Sequence, residues 1–169
     1  MSRGQSPLTR PTATSHPRVI DGSGPPTIWT IGYERLLPAE LVAELQAAGV
    51  ERLIDVRYRP QSRRPGMSKT RLAELLADHG IVYESRKELG TPPDIRFHYK
   101  SGKPGEGAPL FREHVDGHHG HDLDDLAAEL DDGPRTALLC LEADAAVCHR
   151  RVLTELLRAR RPDLEVVDL

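Results

Sequence analysis

From Thr27 onward the apolar residues fall into short continuous runs separated by stretches of helical period, whereas before Thr27 they show no period. The run Ile28-Trp29-Thr30-Ile31, closed by Gly32, predicts a strand covered on both faces, because a half-exposed strand would alternate polar and apolar residues. Pro38 opens a helix in which Leu37, Leu41, Leu45 and Ala48 recur at helical spacing, and Gly49 ends it. A second strand follows at Arg52-Leu53-Ile54-Asp55-Val56-Arg57. Ser68 is placed to cap a helix that carries Leu72, Leu75, Leu76 and His79 inward and stops at Gly80. Ile81-Val82-Tyr83 is a third strand. Further on, Asp122 or a neighbour caps a helix with Leu123, Leu126 and Leu130 on one face, ended by Gly133. Thr136 to Leu141 then reads as a fourth strand, Cys148 to Arg160 as a helix with Val152, Leu153, Leu156 and Leu157 inward, and Leu164 to Val167 as a last strand. Strands alternating with helices at this spacing imply right-handed βαβ crossovers. The predicted architecture is a single α/β domain over residues 27–169, with a mainly parallel sheet between helical layers in a Rossmann-like manner.

Two stretches fall outside the pattern. Residues 1–26 are rich in Ser, Pro, Thr, Gly and Arg and bury too little to repay the entropy of ordering, so a disordered tail is expected. Between Leu89 and His121 the order dissolves into Gly, Pro and His, with short apolar pieces around Leu110 and Phe111. This predicts a long loop, and such loops are functional or mobile. No internal repeat is visible.

Composition narrows the picture further. The chain of 169 residues is long enough for one real core, and with aromatic residues at 4% that core must be built from Leu, Val, Ile and Ala. A net charge of -3 argues against a surface that is basic throughout, while leaving room for local basic patches that meet a nucleic acid. No apolar run approaches the roughly 20 residues that span a bilayer, and the N-terminus lacks the apolar segment of a signal peptide. A cytoplasmic protein with no membrane partner is therefore expected. There the only two cysteines, Cys140 and Cys148, stay reduced more readily than they bridge. Oligomeric state has no signature in the chain.

The unusual polar residues follow the strand ends: Tyr33 and Glu34 after the first, Asp55, Arg57, Ser62 and Arg63 at and after the second, Glu88 after the third, and Cys140 and Glu142 at the fourth. In a parallel sheet these ends share one edge, and ligands of open α/β sheets bind outside it. One shared crevice is the expectation. These residues also carry a resemblance. Thr30-Ile31-Gly32-Tyr33-Glu34, Asp55-Val56-Arg57-x-x-Pro60-x-Ser62-Arg63, Ser68-Lys69, Gly80-Ile81-x-Tyr83, Glu88-Leu89-Gly90 and Leu139-Cys140-x-Glu142-x(5)-Cys148-His149-Arg150 resemble the domain-of-unknown-function family number 488. The likeness runs from about Thr27 to Leu169. It implies an α/β domain with a shared polar site and carries no reaction with it. A common variant of the family has His-Ser where this chain has Tyr33-Glu34.

Each candidate has a functional and a structural reading. Cys148, expected in the first turn of a helix beside His149 and Arg150, is a candidate nucleophile because cationic neighbours and the helix dipole lower a thiol pKa from about 8.5. Its alternative is a small buried hydrophobe. The Cys-x(5)-Arg loop of phosphatases is absent, since Arg150 follows Cys140 by ten residues and Cys148 by two. Glu142 and Asp55 are candidate acid-base groups, or else a helix cap and a structural partner of Arg57. Arg57, Arg63 and Arg150 are expected to hold an anion, with Tyr33, Glu34, Ser62 and Glu88 lining the site. Lys69, Arg71, Arg86, Lys87, Arg96 and Lys100 form either a basic rim or a solvated face. His114, His118, His119 and His121 lie where Gly117 and Gly120 should interrupt a helix, so no metal and no cofactor is expected there. The leading expectation is a hydrolase or transferase acting on a phosphorylated or nucleotide-like substrate. The alternatives are a non-catalytic nucleotide or nucleic-acid binding module, and a thiol redox or metal-sensing protein built on Cys140 and Cys148.

Overall fold

A computed structural model describes residues 24–169; residues 1–23 of the expected tail lie outside it. Five strands form one parallel sheet in the order β3-β2-β4-β1-β5, with β1 at Thr27–Gly32, β2 at Arg52–Asp55, β3 at Val82–Ser85, β4 at Thr136–Cys140 and β5 at Glu165–Asp168. The register brings Gly32 opposite Cys140 and Asp55 opposite Leu139, so the ends of β1, β2 and β4 are level. Pro26 is tied to this sheet, its carbonyl accepting the Glu165 amide at 2.9 Å.

Helices α1 (Pro38–Ala47) and α2 (Lys69–Asp78) cover one face, with Leu41, Leu45, Leu72 and Leu76 over Ile31, Leu53, Ala137 and Leu139. The other face carries α3 (Pro93–Lys100), α4 (Pro104–His118), α5 (Gly120–Asp132) and α6 (Arg150–Arg160). There Phe111, Val115, Leu126, Val152 and Leu153 pack on Ile28, Ile54 and Leu138. Alternate residues of each strand thus serve opposite layers, as the pleat requires. This is the three-layer α/β domain expected from the strand-helix alternation.

The local differences have physical causes. Residues 89–121 are mostly helical, not a loop. Pro93 and Pro104 stand in the first turns of their helices, where a missing N–H costs nothing, and Gly107 lets α4 approach α3 so closely that an added Cβ would lie 2.8 Å from the Tyr99 ring. Gly117 does not interrupt α4, and α5 starts at Gly120 rather than at Asp122. Strand β2 ends at Asp55, leaving Arg57 beyond it. Ser68 holds the N-cap position, but its hydroxyl turns away to bond the Ser62 backbone instead of the helix. His79 is exposed, so the inward face of α2 is Leu72 and Leu76. Helix α6 begins at Arg150; Cys148 precedes it in extended backbone, at the close of a short 3-10 turn over Ala145–Val147. No helix among the described residues is long and apolar enough to cross a membrane.

Candidate functional site

The level ends of β1, β2 and β4 bring the expected residues to one edge, but the sheet divides them between its faces. Because side chains alternate, Asp55 and Arg57 belong to the α1/α2 face, while Cys140 belongs to the face covered by α3–α6. One shared crevice is therefore replaced by two polar clusters and an outer cleft.

The first cluster is a closed ion pair. Arg57 Nη2 lies 2.6 Å from Asp55 Oδ2, and its Nε donates to Asp55 Oδ1 at 2.8 Å. Its Nη1 donates to the Met67 carbonyl at 2.8 Å and to the Tyr33 hydroxyl at 3.2 Å. Tyr83 donates to the second carboxylate oxygen. Asp55 is 0% and Arg57 2% exposed, so neither presents a free group to a ligand. Burial opposes the charge on Arg57, yet the hydrogen bonds and charge of Asp55 raise its pKa further. Burial and the bond to Asp55 likewise push the Tyr83 pKa up. Arg64 stitches the neighbouring segment, donating from Nη1 to the Glu34 carbonyl at 2.7 Å and from Nη2 to the Leu36 carbonyl at 2.6 Å, while Tyr33 stacks beneath both arginines.

Above β1 and β4 the backbone is zipped shut. Tyr33 and Glu34 donate their amides to the carbonyls of Cys140 and Leu141, and the Glu34 carboxylate accepts the Ala143 amide at 3.0 Å. Gly32 is required there, since a Cβ would fall 1.7 Å from the Glu142 carbonyl oxygen.

The second cluster lies under the loop that follows β4. His149 Nε2 meets the Val56 carbonyl at 2.9 Å, which assigns the proton to Nε2 and aims Nδ1 inward. Nδ1 stands 3.7 Å from Cys140 Sγ and 3.8 Å from Cys148 Sγ, and Phe111 holds the ring edge-to-face at 5.2 Å. Glu142 Oε2 is 3.5 Å from Cys140 Sγ. The hydrogen bond from Cys148 holds the Cys140 thiol well below its ordinary range, and His149 and Arg150 add to this against the opposing effect of burial. Burial pushes the Cys148 thiol up, reinforced by Cys140. Burial and the charge of Cys140 raise Glu142. His149 is raised by Cys140 and the Val56 carbonyl although burial opposes it. The two thiols are thus driven in opposite directions by one another and by their surroundings. Arg150 is 1% exposed, donates from Nη1 to the Glu142 carbonyl at 2.8 Å, and leaves Nε without a protein partner. The Tyr99 hydroxyl is likewise buried and unpartnered, and Tyr99 shares with Cys148 a small cavity of about 190 Å³. Arg150 is therefore an interior residue here and not an exposed clamp.

The outer cleft lies beyond the carboxyl end of β2. It has a volume of about 710 Å³, and Tyr58, Arg59, Arg63, Arg96, Phe97 and Lys100 line it, with Ser62 at its wall. Phe97 is 65% and Tyr58 36% exposed, unusual for large aromatic rings. Glu88 faces a second cleft of about 510 Å³, with Lys87, His114 and His119, across Tyr58. Gly90 keeps Tyr58 in place, since an added Cβ would meet the Tyr58 amide at 2.4 Å. Of the expected anion-binding arginines only Arg63 is exposed in a cleft; Arg86 is engaged with Glu84 and Glu129. The four histidines of the α4–α5 corner stack and pair locally, His114 on His118 and His119 on Asp122. The aromatic platform of Tyr58 and Phe97 was not singled out from the sequence, although two rings next to Arg59 and Arg96 in a chain so poor in aromatic residues were its available signal.

A family model described as "Domain of unknown function DUF488" matches residues 38–157. No curated protein and no solved structure matches the chain significantly. The chain belongs to the DUF488 family.

Proposed function

We propose that this DUF488 member is a binding protein for a phosphorylated, nucleotide-like ligand, taken up in the cleft beyond β2. The observation that carries this reading is the lining itself: four cations, Arg59, Arg63, Arg96 and Lys100, interleaved with the exposed rings of Tyr58 and Phe97. Guanidinium groups hold phosphate oxygens in paired hydrogen bonds, and an exposed ring offers a face on which a base stacks. The chain is acidic overall, so this cleft is a local exception to its charge. Of the groups expected to do acid-base work, Asp55 is buried and paired with Arg57, Glu142 contacts Cys140, and neither lines the cleft. Binding, rather than a hydrolase or transferase reaction, is therefore the reading that the geometry supports.

Calorimetric titration of the full chain at low salt with a nucleoside triphosphate, inorganic triphosphate and a short oligothymidylate tests it. Arg96→Ala should weaken binding of all three by about tenfold or more, the worth of a charge-assisted hydrogen bond. Phe97→Ala should weaken only the ligands that carry a base, by about 1–3 kcal/mol. If none of the three binds, the reading fails; if inorganic triphosphate binds as tightly as the base-carrying ligands and Phe97→Ala is silent, its nucleotide element fails.

A further inference from the structure

The cluster behind β4 is independent of the outer cleft and has a different chemistry. Among the described residues Cys140, Cys148 and His149 bring one ligating atom each to within 4.8 Å of one another, and all three are buried. We infer that these three side chains form a binding site for one divalent transition-metal ion of the zinc type, with Glu142 beside it. The geometry carries this. Tetrahedral zinc with bonds of about 2.3 Å to sulfur and about 2.05 Å to nitrogen sets sulfur and nitrogen about 3.6 Å apart. The two observed separations are 3.7 and 3.8 Å. Glu142 Oε2 stands 3.5 Å from Cys140 Sγ, at the edge of the three ligating atoms.

The surroundings fit a metal better than a buried thiol pair alone. A ligating histidine donates its remote N–H to a carbonyl or carboxylate that fixes the ring, and His149 does so to Val56. The thiolates would be paired by the ion, and the Glu142 carboxylate would balance the buried guanidinium of Arg150, so that the whole cluster is neutral. Arg150 has no carboxylate partner among the described residues, which otherwise leaves a buried cation uncompensated. The small cavity at Cys148 supplies an entry path between α3, α4 and α6. Thiolate and imidazole donors favour zinc over magnesium or calcium.

Cobalt substitution reads the site directly. Reduced full-length protein, stripped with chelator and titrated with cobalt(II), should develop a thiolate-to-metal charge-transfer band and tetrahedral ligand-field bands. These should saturate at one ion per chain, and zinc should abolish them. Cys140→Ser and Cys148→Ser should each weaken uptake more than 100-fold, and Glu142→Gln by 10- to 100-fold with the charge-transfer band retained. His114→Ala should change nothing, which separates this site from the exposed histidines. Should the cysteine variants fail to fold, the wild-type titration decides alone. Folded wild-type protein with two countable free thiols and no charge-transfer band would overturn the inference. So would cobalt bound without thiolate charge transfer, or a Cys140–Cys148 disulfide whose reduction restores no uptake.

Discussion

At the scale of single residues, Asp55 and Arg57 show how burial decides between two readings of one motif. Spaced by two along a strand, they were bound to share a face, and both an anion clamp and a structural pair fitted that spacing. The structure buries both and directs all three guanidinium nitrogens to protein acceptors. A buried ion pair is costly to break from one side, because the remaining charge keeps its desolvation penalty. Asp55→Ala should therefore destabilise the fold by about 3–5 kcal/mol in urea unfolding at neutral pH. Nucleotide affinity of the protein that remains folded should be unchanged, since Arg57 does not line the cleft. The pairing was legible as a geometric option, and its burial was not: the flanking Pro60, Ser62 and Arg63 advertise a surface, while the covering residues Tyr33, Met67 and Tyr83 come from three distant segments. The thiol cluster was legible in membership, as Cys140, Cys148 and His149 are close in sequence. The placement of Cys148 was not, because a 3-10 turn over Ala145–Val147 removes it from the start of α6.

At the scale of elements, the strands and the four helices whose leucines keep a clear period were readable, since the period follows from which face is covered. Helices α3 and α4 were not readable. Their residues bury through Ile95, Phe111 and Val115, with glycine and proline at positions where helix–helix contact overrides weak propensity. The docking of α5 on the sheet was equally hidden, because it depends on charges from three elements. Glu129 of α5 accepts from Arg52 of β2 at 2.6 Å and from Arg86 after β3 at 2.9 Å. Burial would raise the Glu129 pKa, but the bonds from Arg86 and Arg52 prevail and lower it. A carboxylate whose folded pKa is depressed contributes stability above its unfolded value, and that contribution disappears as pH falls through the folded value. Glu129→Gln should thus lower the urea midpoint at pH 7 and make progressively less difference as acidification carries Glu129 through its depressed folded value, below which both proteins hold a neutral side chain. An unchanging difference between the two midpoints across that window would mean that shape, not charge, is what Glu129 contributes.

At the scale of the whole molecule, the sheet keeps its two buried polar clusters apart, and four cations outside both line the cleft beyond β2. That separation bears on how salt should act on binding. A single strand of nucleic acid carries condensed counterions, and neutralising Z of its phosphates releases them, giving a slope of about −0.7Z in log affinity against log salt. Arg59, Arg63, Arg96 and Lys100 are the cations in the cleft, and a strand engaging all of them should show a slope of about −3. Arg57 and Arg150 cannot add to it, being sealed from solvent. A mononucleotide has no condensed atmosphere to release, so its affinity should fall more gently, through screening alone. Titrating an oligothymidylate and a nucleoside triphosphate across a salt series therefore separates the two uses of one surface. The steep slope should belong to the oligomer, and Arg96→Ala should make it shallower by about 0.7 without altering the base-stacking contribution of Phe97. An oligomer slope no steeper than that of the mononucleotide would mean that the strand meets the cleft through one phosphate group only, and that the ligand of this surface is a small molecule.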